Sequence, residues 1–238
     1  VKPIITPRFV PSCTSELMSG LGNLVQAYNV PVQSHLSENH GEIDWVAALH
    51  PEAANYTDVY YEHHLMGKVP TVMAHCIHLS DVEMDRMAET QTMVSHCPYS
   101  NVNLSSGIAP IRKLFERKIP IGLGSDISGG HIVSMAKVLT EAIGLSKMKW
   151  VEVDQTYAPL TLSEAFYMAT KGGGKFFGKV GSFEKGCELD ALVIDDTTLF
   201  DPNERSLEER LERWLYVGDD RHIVERYVAG KVAPEPTN

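Results

Sequence analysis

Thr71-Val72-Met73-Ala74-His75 is a short apolar run that opens on two β-branched residues and closes on a histidine. Pro31-Val32-Gln33-Ser34-His35 ends the same way, and Ile121-Gly122-Leu123-Gly124-Ser125-Asp126 ends on an aspartate. Runs of this length bounded by turn residues read as strands. Residues 3–6 and 92–95 supply two more, so strands are expected at 3–6, 31–34, 71–74, 92–95 and 120–124. Segments of helical period lie between or after them at 15–28, 42–49, 58–65, 81–89 and 108–117, followed by 134–147 and 162–171. In the first helix Leu17, Leu21, Leu24 and Val25 are expected to form the buried face, and Ser80-x-x-Glu83 opens the fourth with a capping box. Strands alternating with helices predict an α/β fold of βα units around a parallel sheet.

Five strands are too few to close a (β/α)8 barrel, which takes roughly 250 residues. The expectation is therefore an incomplete TIM-type barrel, about its last five strands, over residues 1–178. An open doubly wound sheet is the alternative, but such folds carry an early Gly-rich phosphate turn, and this sequence has none. Residues 179–238 change character: a turn-rich 181–186, a strand at 189–194, a helix at 207–215 and a second strand within 221–232, together a small β appendage. The chain opens on Val1 in an apolar segment, which reads as the interior of a longer polypeptide.

Composition narrows the function. With 21 Lys+Arg against 31 Asp+Glu the net charge is −10, and the basic residues are scattered, which argues against a nucleic-acid partner. Cys13, Cys76, Cys97 and Cys187 are far apart, giving neither a paired metal motif nor a disulfide framework. A reducing cytoplasm is expected. No apolar run is long enough for a membrane span.

In a barrel the C-terminal strand ends meet at one mouth, so residues distant in sequence converge there. One histidine at a strand end is more often a packed structural residue. Two histidines and an aspartate at such ends, His35, His75 and Asp126, favour a metal-centred hydrolytic site. Imidazole and carboxylate are good donors to zinc or ferrous iron, and a catalytic site keeps one position open for water. Glu38, three residues after His35, suits a proton shuttle, with helix capping as its competing role. Asp126 before Gly129-Gly130 could also serve only as a turn residue. His40, His50, His63, His64, His78 and His222 are expected at the surface, while His96 and His131 fall near the mouth. Ser105-Ser106-Gly107 reads as a turn.

The pattern of His-x-x-Glu after one strand, His after the next and Ser-Asp two strands later resembles the amidohydrolase superfamily, in its purine and pyrimidine deaminase branch. Thr6-Pro7-Arg8-Phe9, Gln33-Ser34-His35-Leu36-Ser37-Glu38-Asn39, Ser95-His96-Cys97-Pro98-Tyr99-Ser100-Asn101, Leu104-Ser105-Ser106-Gly107 and Leu215-Tyr216-Val217-Gly218-Asp219-Asp220-Arg221 look like the guanine deaminases within it. The resemblance implies hydrolytic, zinc-dependent deamination of guanine to xanthine and ammonia, with one zinc per complete site and iron as an alternative metal. It implies His35 and Asp126 as metal ligands and Glu38, His75 and Asp126 as catalytic groups. Arg8 would donate to the purine carbonyl oxygen and Phe9 would pack on the ring, so that Arg8, Phe9, His35, Glu38, His75 and Asp126 together bind the substrate. It also implies that residues 179–238 return to a small β-sandwich and that the protein is a homodimer. The remaining ligands, a His-x-His pair, are absent from this sequence, so they would come from an N-terminal portion of the same polypeptide. The rivals are an aminohydrolase of the same branch acting on another purine, a pterin or a triazine, and a non-catalytic barrel homologue.

Overall fold

The computed structural model describes residues 2–234. The chain runs α1 (Ser15–Tyr28), β1 (Val32–Leu36), α2 (His40–Leu49), α3 (Tyr56–Glu62), β2 (Thr71–His75), α4 (Asp81–Glu89), β3 (Met93–His96), α5 (Pro98–Asn103), α6 (Ile111–Glu116) and β4 (Ile121–Leu123). Two helices follow, α7 (Met135–Glu152) and α8 (Leu162–Tyr167). The chain ends with β5 (Ala191–Ile194), α9 (Leu207–Val217), β6 (Ile223–Val228) and β7 (Lys231–Val232). The first four strands form one parallel sheet in the order β1-β2-β3-β4, and the last three form an antiparallel sheet. The α/β class and the parallel sheet are as the sequence predicts.

The expected strand at 3–6 shrinks to a single bridge. Ile5 N donates to the Pro31 carbonyl and Gln33 N to the Ile5 carbonyl, both at 2.9 Å, and the ladder goes no further, although His35 N also donates to the Arg8 carbonyl at 3.3 Å. Pro3 and Pro7 lack the N–H groups that a longer ladder needs. Four strands and a bridge therefore stand where five strands were expected. The helix expected at 108–117 begins only at Ile111, because Pro110 at its N-cap keeps the preceding residue out of the helical region. An unforeseen helix, α5, follows β3 directly and starts on Pro98, a residue preorganised for a first helical position.

The core is the apolar filling between sheet and helices, with Val32, Leu36, Met73, Val94 and Ile121 from the strands and Met18, Val25, Met87 and Leu139 from the helices all nearly inaccessible. In α1 the buried face is Met18, Gly22 and Val25, whereas Leu17 and Leu24 are exposed. The helix is rotated because Gly22 sits against the carbonyl of His63, where any Cβ would collide. The capping box at Ser80 and Glu83 forms as predicted.

Arg112 joins α6 to α8. Its guanidinium makes a two-pronged bond to Glu164, at 2.6 and 2.9 Å, and donates to the carbonyls of Ala158 and Pro159. That arrangement pulls the Glu164 carboxyl from its ordinary 4.5 down to about 2. A depressed carboxyl stabilises the fold above its unfolded value and loses that contribution as pH falls toward the folded one. Glu164→Gln should therefore be less stable than the parent at pH 5 to 7, with the gap closing between pH 4.5 and 2 in a denaturant series. A constant gap across that window would assign the effect to packing.

Candidate active site

His35 lies on β1 and His75 ends β2, and the register pairs His35 with Ala74 and Leu36 with His75. Side chains alternate along a strand, so regular geometry would place the two imidazoles on opposite faces of the sheet. Instead the rings stack at 5.2 Å between centroids. The backbone of His75 makes this possible, because its φ of 70° lies in the left-handed region and swings the side chain over to the His35 side. Cys76, Ser37 and Asp126 also have positive φ, at 52°, 49° and 45°. Each such non-glycine residue costs on the order of 1 kcal/mol. The strand ends of this sheet thus concentrate local strain around His75.

The two histidines are held by their Nδ1 atoms. His35 Nδ1 lies 2.6 Å from the Arg8 carbonyl oxygen, which can only accept, so the proton is on Nδ1 and Nε2 is free. His75 Nδ1 lies 2.9 Å from Asn101 Oδ1. His75 Nε2 faces two carboxylates, 3.7 Å from Glu38 Oε2 and 3.9 Å from Asp126 Oδ2. Both separations exceed a hydrogen bond, so the three groups converge without being locked to one another. Among the described residues neither carboxylate has a lysine or arginine within ion-pair distance.

Glu38 is held from both ends. Its backbone N–H donates to Glu42 Oε2 at 2.8 Å, and its Oε1 accepts from Ser106 Oγ at 2.9 Å. Helix capping falls to Asn39 and Glu42, which make a capping box at the start of α2 and leave the Glu38 side chain turned to His75. Glu42 is itself buried and accepts from the Tyr56 hydroxyl at 2.7 Å.

Asp126 lies four residues after Gly122, in the turn that follows β4. Gly130 N donates to its carbonyl, and its Oδ2 packs so closely against Gly129 that a Cβ there would lie 2.6 Å from it. Ser34 anchors the 7–9 segment beside the site, its Oγ donating to the carbonyls of Pro7 and Arg8 at 2.8 and 3.2 Å. The Arg8 guanidinium lies 5.2 Å from the Phe9 ring centroid, and Trp45 meets Phe9 edge-on at 6.1 Å.

Of the other histidines expected at the surface, His40 and His64 are exposed, His63 and His78 are half-buried, and two depart from expectation. His50 and His222 are buried, the first closing α2 with its ring toward Glu52 and the second held between Thr198 and Asp219. His96 is buried beside His75, and desolvation pushes its pKa down to about 3, so it is a neutral imidazole. His131 is exposed. The thiols of Cys76 and Cys97 are buried and driven upward, Cys97 to about 12, which excludes a thiolate nucleophile at these positions.

As metal donors, His35 Nε2 and the Asp126 carboxylate are of the type zinc and ferrous iron take. The convergence of two uncompensated carboxylates also favours a cation. The number falls short, however, because among the described residues no group of three or more His, Cys, Asp or Glu side chains could hold a metal. A catalytic zinc has three protein ligands. The residues present fit part of such a site. Sequence reasoning missed Asn101 and Ser106, which hold His75 and Glu38; Ser106 stood in what read as a plain turn, and Asn101 in a stretch singled out only by resemblance. No helix among the described residues is long and apolar enough to cross a membrane.

The chain as a whole is similar to known proteins. A guanine deaminase from Dictyostelium discoideum is 44% identical over 237 residues, covering 97% of this chain and 52% of the relative. One from Mus musculus is 41% identical, covering 97% and 53%. The solved guanine deaminase of C. acetobutylicum, with guanine bound in its active site, superposes with a TM-score of 0.94 at 55% identity over 98% of this chain and 55% of that one. The chain thus spans about half the length of the curated relatives it matches. The sequence profile of the amidohydrolase family matches residues 1–233, nearly the whole chain, and on that match the chain belongs to the amidohydrolase family.

Proposed function

We propose that this chain is part of a guanine deaminase, which hydrolyses guanine to xanthine and ammonia. The observation that carries the reading is the convergence of Glu38 and Asp126 on Nε2 of a buried His75. Two carboxylates and an imidazole around one point provide the separate proton acceptor and donor that a hydrolytic deamination needs. The likeness to guanine deaminases supports the substrate, and the one bound to guanine supports it most directly.

In this reading His35 Nε2 and the Asp126 carboxylate hold a zinc ion, with further donors from outside residues 1–238, since the sequence contains no His-x-His pair. When bound, the metal lowers the pKa of water so that hydroxide is available near neutral pH. Arg8 donates to the purine carbonyl oxygen, and Phe9 packs on the ring. Asp126 takes a proton from the attacking water, and His75 orients that water toward C2. Glu38 protonates the adjacent ring nitrogen. The carbon becomes tetrahedral, Asp126 passes the proton it took to the amino group, which leaves as ammonia, and the remaining hydroxyl gives its proton back to Glu38, leaving the C2 carbonyl of xanthine. The same reading makes the parallel sheet and its helices, residues 1–178, part of a (β/α)8 barrel. Residues 179–238 are then a return to a β-sandwich, and the assembled enzyme is a cytoplasmic homodimer.

The test is ammonia release by the full-length protein from a panel of guanine, adenine, cytosine, a pterin and a triazine. Guanine should be the best substrate by at least about tenfold in kcat/KM, since a site built to hydrogen-bond one edge discriminates against analogues that lack it. Prolonged chelation should abolish the activity and zinc should restore it. Preference for another base would move the enzyme elsewhere in the branch, and no metal-dependent turnover of any base would remove the catalytic reading.

A further inference from the structure

The segment from α5 to the turn after it holds two of the site's acid-base groups, His75 and Glu38, and the turn that carries the third, Asp126. Asn101 Oδ1 is 2.9 Å from His75 Nδ1, and Ser106 Oγ donates to Glu38 Oε1 at 2.9 Å. Asn103 Nδ2 donates to the Gly129 carbonyl at 2.7 Å, within the turn that begins at Asp126. These contacts are rigidly coupled, because Ser106 N donates back to the Asn101 carbonyl at 2.8 Å and Ser105 adopts a positive φ of 56° to close the turn. His78 adds a fastening, its Nε2 donating to the Ser106 carbonyl at 2.7 Å.

Asn101 is the unusual member. It is fully inaccessible, and its Nδ2 has no hydrogen-bond partner among the described residues. A buried amide with half its capacity unmet is a cost to folding. The structure gives its side chain one hydrogen bond, to His75, which is itself 1% exposed. An Oδ1 acceptor there requires the proton of neutral His75 to be on Nδ1, which leaves the Nε2 lone pair facing Glu38 and Asp126.

We propose that Asn101 is a positioning residue that fixes the tautomer and ring orientation of His75, and that residues 101–106 act as one clamp setting His75 against Glu38. The proposal rests on the deaminase reading above for its kinetic consequences, but its central claim, the tautomer, does not. Asn101 touches no reacting atom in this assignment and acts only through His75. Asn101→Leu keeps the shape of the side chain and removes the acceptor, while Asn101→Asp keeps an acceptor oxygen in place.

The experiment uses the full-length enzyme. Histidine ring nitrogen NMR, with the His75 signal assigned by its loss in His75→Gln, should find the Nδ1–H tautomer in the parent and in Asn101→Asp, and a mixture in Asn101→Leu. In guanine turnover Asn101→Leu should lose about 10- to 100-fold in kcat, the usual cost of an outer partner of a site histidine, with KM within about twofold. Asn101→Asp should recover most of that loss. An Nε2–H tautomer in the parent overturns the proposal, because Asn101 would then present its amino group, and this measurement stands even if Asn101→Leu does not fold. Equal losses in Leu and Asp variants, with KM rising in both, also overturn it and make Asn101 a packing residue. Absence of guanine turnover in the parent would sink the deaminase reading instead, leaving the tautomer result to decide the role of Asn101.

Discussion

Glu38→Gln should lower kcat for guanine by about 10² to 10⁴, the range over which a positioned acid-base group contributes. At 1.36 kcal/mol per decade this corresponds to about 2.7 to 5.4 kcal/mol of transition-state stabilisation. The substitution is nearly isosteric. A glutamine can still accept from Ser106 Oγ, and the backbone N–H at position 38 keeps its bond to Glu42. What it lacks is the ability to take up and release a proton 3.7 Å from His75 Nε2. Substrate affinity and metal content should therefore stay close to those of the parent, and thermal unfolding should shift by no more than a surface change would. The measurement is steady-state ammonia release together with metal analysis of the purified variant. Near-normal turnover would take the proton-transfer role away from Glu38. Loss of metal along with activity would instead make it part of the metal site.

The legibility of this site in the sequence has a physical pattern. His35, His75 and Asp126 could be found because apolar runs end on them, and a parallel sheet brings the ends of neighbouring strands together whatever lies between; Glu38 could be found only through its place three residues after His35. The detailed geometry could not be found that way. Register offsets His35 and His75 by one residue, and strict alternation would have separated them; only the positive φ at His75 restores the pairing. Such a backbone state leaves no mark on a histidine in a sequence, whereas on a glycine it would have been suspected. Asn101 and Ser106 were hidden for a related reason. They belong to a short helix and a turn that carry no periodic signal, and their roles come from tertiary contacts 26 and 68 residues away in the chain. Among the helices, the 15–28 segment shows the same limit: its leucines gave the period, but a close approach at Gly22 decided which face went inside.

Gly122→Val should lower stability by about 3 kcal/mol or more, the upper end of what forced overpacking costs. Gly122 lies in β4, opposite Ser95 on β3, with the widened helical turn Met168–Gly172 and the following Gly173 pressed onto it. A Cβ at 122 would stand 2.7 Å from Met93 Cε and 2.8 Å from Gly173 Cα. The methionine end could swing aside, but the Gly173 contact is backbone on both sides and can be relieved only by moving β4 or that turn. Valine adds two methyl groups to the same space. For a chain of this size each kcal/mol corresponds to roughly 2 to 4 °C, so Tm should fall by about 6 to 12 °C. Asp126 follows four residues later on the same stretch, so any displacement of β4 that accommodates the valine carries the carboxylate with it and lowers kcat as well. Gly144→Ala is the matched control, because a Cβ at that exposed position in α7 meets nothing within 4 Å. There the lower helix propensity of glycine predicts a gain of about 0.5 to 1 kcal/mol, with turnover unchanged. Differential scanning calorimetry of the two variants separates the cases. A Gly122→Val protein as stable as its parent would mean that β4 and the Met168–Gly172 turn are not in close contact, and the placement of Asp126 at the sheet edge would have to be redrawn with them.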